Sequence, residues 1–142
     1  MKQLQDETIA ILEPLGRLLR ELTRQTGGAD DGPPMTATQR IALIELIDHG
    51  PTRLNALADR LGVSAPTASR TVDALACLGL VERLPDPDDR RALRIELTPA
   101  GAQLVAHRKQ RAAEAFGPAA ATLSERERTT LIALLERMTA AL

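Results

Sequence analysis

Apolar and polar residues repeat along the chain with two different periods, which predict a mainly helical protein with one short β-hairpin. The first predicted helix covers residues 4–24, where five apolar residues follow a near-heptad seam. These residues are Leu4, Ile11, Leu15, Leu18 and Leu22. Pro14 lies inside the seam and has no backbone N–H to donate, so we expect a kink or break near Glu13.

The next segment, residues 27–34, is rich in Gly, Asp and Pro and predicts a loop. Thr36 and Gln39 have the spacing of a capping box, which predicts the start of a second helix. The apolar residues that recur along this helix are Ile41, Ile44 and Ile47. Gly50 and Pro51 are expected to end it.

Two short helices separated by a glycine turn follow, and they predict a helix-turn-helix. Thr52 is the expected N-cap of the first helix, which ends at Gly62. Its predicted core face consists of Leu54, Leu57, Ala58 and Leu61. Ser64 is the expected N-cap of the second helix, which runs to about Leu78 before Gly79. Because many helical proteins contain such a turn without binding DNA, the turn alone is a weak signal.

The pattern changes after this second helix. Residues 80–84 and 92–97 alternate apolar and polar side chains, as half-buried strands do, and residues 85–91 between them are polar and rich in turn formers. This predicts a β-hairpin joined directly to a helix-turn-helix. The combination is a winged helix, which is a more specific signal than either part.

Two further helices are predicted near the C-terminus. Thr98 and Pro99 begin the first, which is expected to run to about Phe116, before a Gly-Pro pair. Ser124 and Glu127 form a second predicted capping box, which begins the last helix. Its seam consists of Leu131, Leu135, Met138 and Leu142. So small a monomer offers no obvious place to bury the seams at 4–22 and 131–142, so they favour dimerisation, with packing inside one chain as the alternative.

The helix after Ser64 has two different faces when each residue turns it by about 100°. The predicted core face contains Ala65, Ala68, Val72, Leu75 and Gly79. The opposite face contains Pro66, Thr67, Arg70, Asp73, Ala74 and Cys77, with Ser69 at its edge. A small, hydroxylic face with one arginine suits the major groove of DNA, where arginine recognises guanine. An ordinary solvated face is the alternative.

The predicted hairpin tip contains two neighbouring arginines, Arg90 and Arg91. An arginine on a projecting turn can enter the narrow minor groove, where the negative potential is enhanced. Asp89 is expected to hold the Arg91 guanidinium in a bidentate pair. A solvated turn with incidental charges is the alternative.

Composition narrows the function classes. Phe116 is the only aromatic residue, so binding of single-stranded nucleic acid through base stacking is not expected. The net charge is −1, and residues 36–99 contain 8 basic and 9 acidic residues. This stretch has no basic footprint, so a DNA-binding interpretation depends on where individual arginines point.

Catalytic and metal-binding motifs are not found in the sequence. It contains no Gly-rich phosphate loop, nucleophile elbow or HExxH, and Cys77, His49 and His107 lack metal-ligand spacing. We therefore expect no enzyme activity, cofactor or metal, and a structural or incidental Cys77. Because no apolar run reaches about 18 residues and the N-terminus lacks a secretory signal, we expect a cytoplasmic protein without a membrane span.

Two stretches of the sequence resemble the MarR family of bacterial regulators. Asp89 to Gly101 is similar to the family's wing-to-helix pattern, Asp-x-Arg, five residues, then Leu-Thr-x-x-Gly. Leu57 to Arg70 is similar to its helix-turn-helix. The resemblance implies one domain, 1–142, with a winged helix-turn-helix lobe at 36–97 and dimerisation helices at 1–30 and 98–142.

The resemblance also implies a homodimer that binds a pseudo-palindromic operator in double-stranded DNA and acts as a repressor. The implied DNA-binding residues are Ser64, Pro66, Thr67, Ser69, Arg70, Asp89, Arg90 and Arg91. The implied dimerisation residues are Leu4, Ile11, Leu15, Leu131, Leu135, Met138 and Leu142. Family members are often released from DNA by small molecules, so release by a small-molecule effector is a hypothesis for this chain. The alternative function is a winged-helix module for protein contacts or dimerisation without specific DNA binding.

Overall fold

The computed structural model of the chain describes residues 1–26 and 32–141. Within these residues it has six helices and three strands. The helices are α1 Lys2–Thr26, α2 Ala37–His49, α3 Leu54–Leu61, α4 Ala65–Cys77, α5 Pro99–Ala120 and α6 Glu125–Thr139. The strands are β1 Thr52–Arg53, β2 Val81–Pro85 and β3 Leu93–Leu97. The predicted fold class, mainly helical with a small β-hairpin, is confirmed. No helix in these described ranges is long and apolar enough to cross a bilayer.

Backbone contacts divide the chain into two compact units. The winged-helix unit contains the described residues 32–109, and the helical unit contains residues 1–26 and 110–141. Helix α5 contributes to both, its first half to the winged-helix unit and its second half to the helical unit. The predicted loop at 27–34 lies outside the described residues except for its last three positions.

The three strands form one antiparallel sheet in the order β1-β3-β2. The hairpin β2–β3 is the predicted wing, with Val81 opposite Leu97 and Pro85 opposite Leu93. Strand β1 was not predicted, because two residues are too few to show an alternating pattern. It pairs Thr52 with Ile95 and thereby attaches the start of α3 to the wing.

The winged-helix unit has its own apolar core, to which α2, α3, α4 and the sheet all contribute. The buried members are Ala42, Leu43, Leu46, Leu57, Val72, Leu75, Leu80, Val81 and Ile95. Leu54, Leu61 and Leu97 pack against this cluster while partly exposed. The predicted core face of α3 is therefore confirmed.

The apolar residues that recur along α2 in the sequence are not the ones that this helix buries. Ala42, Leu43 and Leu46 are its buried residues, whereas Ile41, Ile44 and Ile47 are 44–48% exposed. This helix is apolar on both faces, so periodicity alone did not decide which face meets the core.

Both prolines expected to interrupt a helix lie inside one. Helix α1 continues through Pro14, and α5 continues through Gly117 and Pro118 to Ala120. The predicted end of α5 at Phe116 is therefore wrong. The helix α1 does not break near Glu13, and a kink there stays a prediction. A proline removes one backbone donor, and long helices keep enough hydrogen bonds on either side to continue past that loss.

Most predicted helix caps are confirmed. Thr36 forms a complete capping box with Gln39, and Ser124 forms another with Glu127. Thr98 accepts a hydrogen bond from the backbone N–H of Gly101 (3.1 Å) in the first turn of α5. Thr52 is the exception, because the N-cap of α3 is Arg53, without a side-chain cap.

The helical unit lacks a comparable core in the part of the chain that the structure describes. Neither α1 nor α6 has a buried residue. Among the predicted seam residues, Leu4 is 69% exposed, Ile11, Leu131, Leu135 and Met138 are also exposed, and Leu15 is half-buried. Leu142 lies outside the described residues.

Candidate nucleic-acid interface

The candidate interface begins at the N-terminus of α4. Ser64 is its N-cap, as predicted, and its hydroxyl accepts a hydrogen bond from the backbone N–H of Thr67 (3.4 Å). The two hydroxyl oxygens of Ser64 and Thr67 lie 3.0 Å apart. Pro66 is exposed in the first turn, where its missing N–H costs nothing. This end of α4 therefore presents small, hydroxylic groups.

Helix α4 buries nearly the predicted face. Ala68, Val72 and Leu75 are fully buried, whereas Ala65 at the N-terminal edge and Gly79, which follows the end of the helix, are exposed. Thr71 is also buried, which its residue type did not indicate. Its hydroxyl donates to the carbonyl oxygen of Thr67 (3.0 Å), so the polar group is satisfied inside the helix.

The exposed face of α4 is joined to the wing by an arginine that the sequence did not single out. Arg83 on β2 forms an ion pair with Asp73 of α4. Its Nη2 also lies 3.4 Å from both the hydroxyl and the carbonyl oxygen of Ser69. The pair neutralises a carboxylate on the outward face of α4, and it ties that face to the hairpin.

The start of α5 is fixed against the end of α4. The Thr98 hydroxyl donates to the carbonyl oxygen of Gly79 (2.6 Å), and its backbone N–H donates to that of Leu80 (3.1 Å). Gly101 is buried, and a Cβ there would overlap the Leu80 carbonyl oxygen. The Leu-Thr-x-x-Gly pattern therefore marks a close backbone approach that only glycine allows.

Two aspartates organise the wing tip. The Asp86 Oδ1 accepts a hydrogen bond from the backbone N–H of Asp88 (2.9 Å), and the Asp89 Oδ1 accepts one from the backbone N–H of Arg91 (3.0 Å). The predicted bidentate pair between Asp89 and the Arg91 guanidinium is therefore not formed. An aspartate carboxylate readily accepts a hydrogen bond from the backbone N–H two residues later, and Asp89 makes this bond to the backbone of Arg91 instead of pairing with its guanidinium.

Asp86 was not predicted as a site residue, yet it is the buried acid of the wing, with 8% of its surface exposed. Its Oδ2 accepts a hydrogen bond from the Arg53 Nε (2.6 Å). The pKa of Asp86 is lowered from 3.8 to about 2, first by this bond and then by the Asp88 N–H. The same contact raises the pKa of Arg53.

Arg70, Arg90 and Arg91 are exposed, and no ion pair or side-chain hydrogen bond occupies their guanidinium groups within residues 1–26 and 32–141. Arg53 and Arg83 in the same unit are instead paired with carboxylates. The unit therefore separates arginines that hold the structure from arginines that remain available to a ligand. The predicted DNA-contacting arginines belong to the second group.

A model of the MarR family matches residues 35–93, which span α2 to the first residue of β3. The HTH-type transcriptional repressor NicR of Pseudomonas putida is 31% identical over 134 residues, covering 90% of this chain and 84% of that protein. The multiple antibiotic resistance protein MarR of Salmonella typhimurium is 33% identical, covering 69% of this chain and 71% of that protein.

A similar solved structure extends the likeness to nearly the whole chain. The crystal structure of RV1404 from Mycobacterium tuberculosis superposes with a TM-score of 0.81 at 29% sequence identity. The match covers 97% of this chain and 92% of that one. The likeness therefore includes the helical unit as well as the winged helix.

Proposed function

The chain belongs to the MarR family of winged helix-turn-helix transcription regulators, and on that premise we propose that it is a repressor that binds a pseudo-palindromic operator as a homodimer. In this proposal α4 enters the major groove and the wing tip enters the neighbouring minor groove. A two-fold dimer places its half-sites about one helical turn, roughly 34 Å, apart.

The observation that carries the proposal is the free state of Arg70, Arg90 and Arg91 within the described structure. A winged-helix unit with 8 basic and 9 acidic residues in 36–99 gains little from net charge. Its affinity must come from individual guanidinium groups that no carboxylate holds. Arg70 on α4 suits a guanine edge, which accepts two hydrogen bonds, and Arg90 and Arg91 suit a narrow minor groove.

The polar groups at the start of α4 have a different role in the proposal. Ser64, Pro66, Thr67 and Ser69 present little bulk, so the helix N-terminus can approach the DNA closely. Hydroxyls and a helix N-terminus favour phosphate oxygens, which fix the position of a protein on DNA without reading sequence. Asp89 acts through the Arg91 backbone, shaping the turn that carries the wing arginines.

The proposed dimer uses the helical unit. Leu4, Ile11, Leu131, Leu135 and Met138 are exposed on helices without a buried residue, and Leu15 is half-buried beside them. Burial of each leucine is worth roughly 1.5–3 kcal/mol. A second copy of the same surface supplies such burial symmetrically, and the predicted seam positions are the residues we assign to it.

Titration of a labelled duplex from the promoter region of the chain's own gene tests the DNA contacts. Arg91→Ala is expected to weaken binding by about 1–3 kcal/mol, and Arg70→Ala to relax base preference at one position in each half-site. Arg137→Ala removes the same charge from α6 and serves as the control. If both interface variants bind as tightly and as selectively as the wild type, the assignment of these contacts is wrong.

The second candidate function, a winged helix that contacts only proteins, is favoured by the near-neutral charge of residues 36–99. The salt dependence of duplex binding distinguishes the two candidate functions. Each phosphate contact releases counterions, so DNA affinity falls more steeply as the salt concentration rises. Operator binding that weakens steeply with salt supports the repressor. Duplex binding that is absent at low salt supports the protein-contact module.

The proposal includes release by a small-molecule effector. Such a ligand must bind one conformation better than another, and coupling of this kind is typically worth 1–3 kcal/mol. Operator affinity measured against a panel of aromatic acids and phenols tests this part separately. If no compound changes the operator affinity, the effector part of the proposal is wrong, whereas the proposed DNA contacts are not affected by that result.

A further inference from the structure

We propose that Arg53 and Asp86 are positioning residues that hold the wing tip in the conformation presenting Arg90 and Arg91 to DNA. The inference rests on the proposed function, because it concerns how the same interface is assembled. The pair itself points its charged groups at each other, so its role is to fix the wing and not to contact a base.

The pair joins the two edges of the sheet. Arg53 lies on β1, and Asp86 directly follows β2, with β3 between these strands. In the register, Arg53 is opposite Arg94 of β3, and Arg94 is opposite Leu84 of β2. The Arg53 side chain therefore crosses the central strand to reach the carboxylate.

Asp86 is the point at which the tip loop is closed. Its backbone N–H donates to the carbonyl oxygen of Ala92 (3.0 Å), and its Oδ1 accepts from the backbone N–H of Asp88 (2.9 Å). The remaining oxygen, Oδ2, accepts from Arg53 (2.6 Å). The backbone of Asp86 thus closes the loop against Ala92, and its buried side chain connects the first part of the loop to β1, while the residues from Pro87 to Arg91 are exposed.

The other end of the connection is the helix-turn-helix. Arg53 is the N-cap residue of α3, so the ion pair links the first residue before that helix to the wing. A buried carboxylate needs a charged partner, and removal of one partner is far more costly than removal of an exposed charge. The wing tip therefore has one preferred direction relative to α3.

The sign of the effect makes the inference testable in DNA titrations. Asp86→Asn removes a negative charge beside the interface, which by charge alone strengthens DNA binding. Loss of positioning predicts the opposite, an affinity roughly tenfold weaker, as expected for loss of coupling within one network. Glu96→Gln is the matched control, since it makes the same charge change beside Arg94 of β3 and is expected to leave affinity unchanged or slightly raised.

A double-mutant cycle separates positioning from direct contact. Arg53→Gln is expected to weaken binding about tenfold in the wild type and to have almost no effect when Arg90 and Arg91 are both alanine. An equal loss in both backgrounds means that Arg53 binds DNA itself, and the inference is overturned. Unchanged affinity in the wild-type background overturns it as well.

Amide hydrogen exchange measures the positioning without DNA. In Asp86→Ala, exchange is expected to accelerate at least about tenfold at two N–H groups. The Asp88 N–H loses its carboxylate acceptor, and the Ala92 N–H, which donates to the Asp89 carbonyl oxygen (2.9 Å), reports on the order of the tip loop itself. The Thr98 N–H, which bonds to Leu80, serves as the folding control and is expected to stay protected. If the variant is folded by this control and the wing N–H groups exchange as slowly as in the wild type, the positioning role is refuted. If the wild-type protein binds no duplex, the proposed function fails while the exchange result still decides whether the pair orders the wing.

Discussion

The two units of this protein satisfy their apolar residues in different ways. The winged-helix unit surrounds Leu57, Val72 and Leu75 completely with its own helices and sheet. The helical unit has no buried residue in α1 or α6 among the described positions, although both helices carry apolar seams. The first unit therefore has its main stabilising term within one chain, whereas the second needs a further surface to cover its seams.

This difference separates two kinds of apolar pattern that look alike in sequence. A seam on a helix of a small domain normally meets the core of the same chain. Here α3 and α4 follow that rule, and α1 and α6 do not. Substitutions of apolar residues in the two units test whether the first is stabilised within one chain and the second by dimerisation.

The largest expected effect concerns the proposed dimer. Leu135→Asp introduces a charge into the α6 seam of both copies, and the lost leucine burial alone is worth roughly 3–6 kcal/mol per dimer. We expect a monomer in sedimentation equilibrium at concentrations where the wild type is a dimer. Ala133→Asp, about 160° away around the same helix, is the control. A variant that remains dimeric with Leu135→Asp contradicts the assigned seam.

A core truncation tests the self-sufficient unit. Leu57→Ala removes a fully buried side chain and leaves a cavity, so the free energy of unfolding is expected to fall by about 2–5 kcal/mol. Leu93→Ala, at a 52% exposed position of the same unit, is expected to cost less than about 1 kcal/mol. Urea denaturation followed by circular dichroism measures both. Similar losses for the two variants mean that the described core does not dominate the unit's stability.

The two units also share helix α5, which carries one glycine in each half. Gly101→Ala places a methyl group against the Leu80 carbonyl oxygen and is expected to destabilise the protein by about 1–3 kcal/mol. Gly117→Ala meets no atom within 4 Å outside its own stretch of helix. The gain in helix propensity is opposed by the contact of a Cβ with the ring of Pro118, so the expected change in stability is below about 1 kcal/mol. Thermal unfolding of both variants compares the two changes, and a stabilising Gly101→Ala contradicts the close approach.

The smallest expected effect is a pH dependence. The pKa of Asp86 is about 2 in the folded protein, below its ordinary 3.8, so the unfolded chain takes up the proton first as the pH falls. The stability that this carboxylate contributes is present above about pH 4 and is lost as the pH falls towards 2. In Asp86→Asn, the melting temperature is expected to depend less on pH between about pH 4 and pH 2 than it does in the wild type.

Glu21 of the helical unit is the comparison for this acid effect. Hydrogen bonds from Arg24 and Gln25 lower its pKa to about 2 as well. The Glu21–Arg24 pair is exposed and screened by solvent. Glu21→Gln is therefore expected to reduce the pH dependence of the melting temperature less than Asp86→Asn does. If Glu21→Gln has an equal or larger effect, burial of Asp86 does not increase the pH-dependent stability that its ion pair contributes.

Local chemistry predicted the boundaries of most elements. Thr36, Ser64 and Ser124 each cap the helix that they were expected to cap, because a side-chain oxygen two or three residues before a backbone N–H is a short-range device. The wing strands were also found within one residue, since alternation is directly visible in sequence. Errors occurred where a neighbour in space, or the length of an established helix, outweighed the local signal.

The site shows the same division. Thr67 and Arg70 were placed on the outward side of α4 by helical spacing, and Ser64 was predicted as its N-cap. In the structure Ser64 is the N-cap, Arg70 is exposed and Thr67 is half-buried. Arg53, Arg83 and Asp86 were missed because their partners lie 10 to 33 residues away along the chain. The cluster of Asp86, Asp88 and Asp89 at the wing tip indicates that some of these carboxylates are paired, because all three would otherwise repel phosphates, but it does not indicate which.

By itself, the sequence determined the order of helices and strands, the caps, the wing and the positions of the arginines proposed to meet DNA. Each of these depends on residues within about one helical turn or one hairpin, where spacing and side-chain type are sufficient. Only the tertiary structure decided which face of α2 is buried, that β1 joins the sheet, and which arginines are occupied by Asp73 and Asp86. These outcomes depend on distances between segments that are remote in the chain, and periodicity carries no information about such distances.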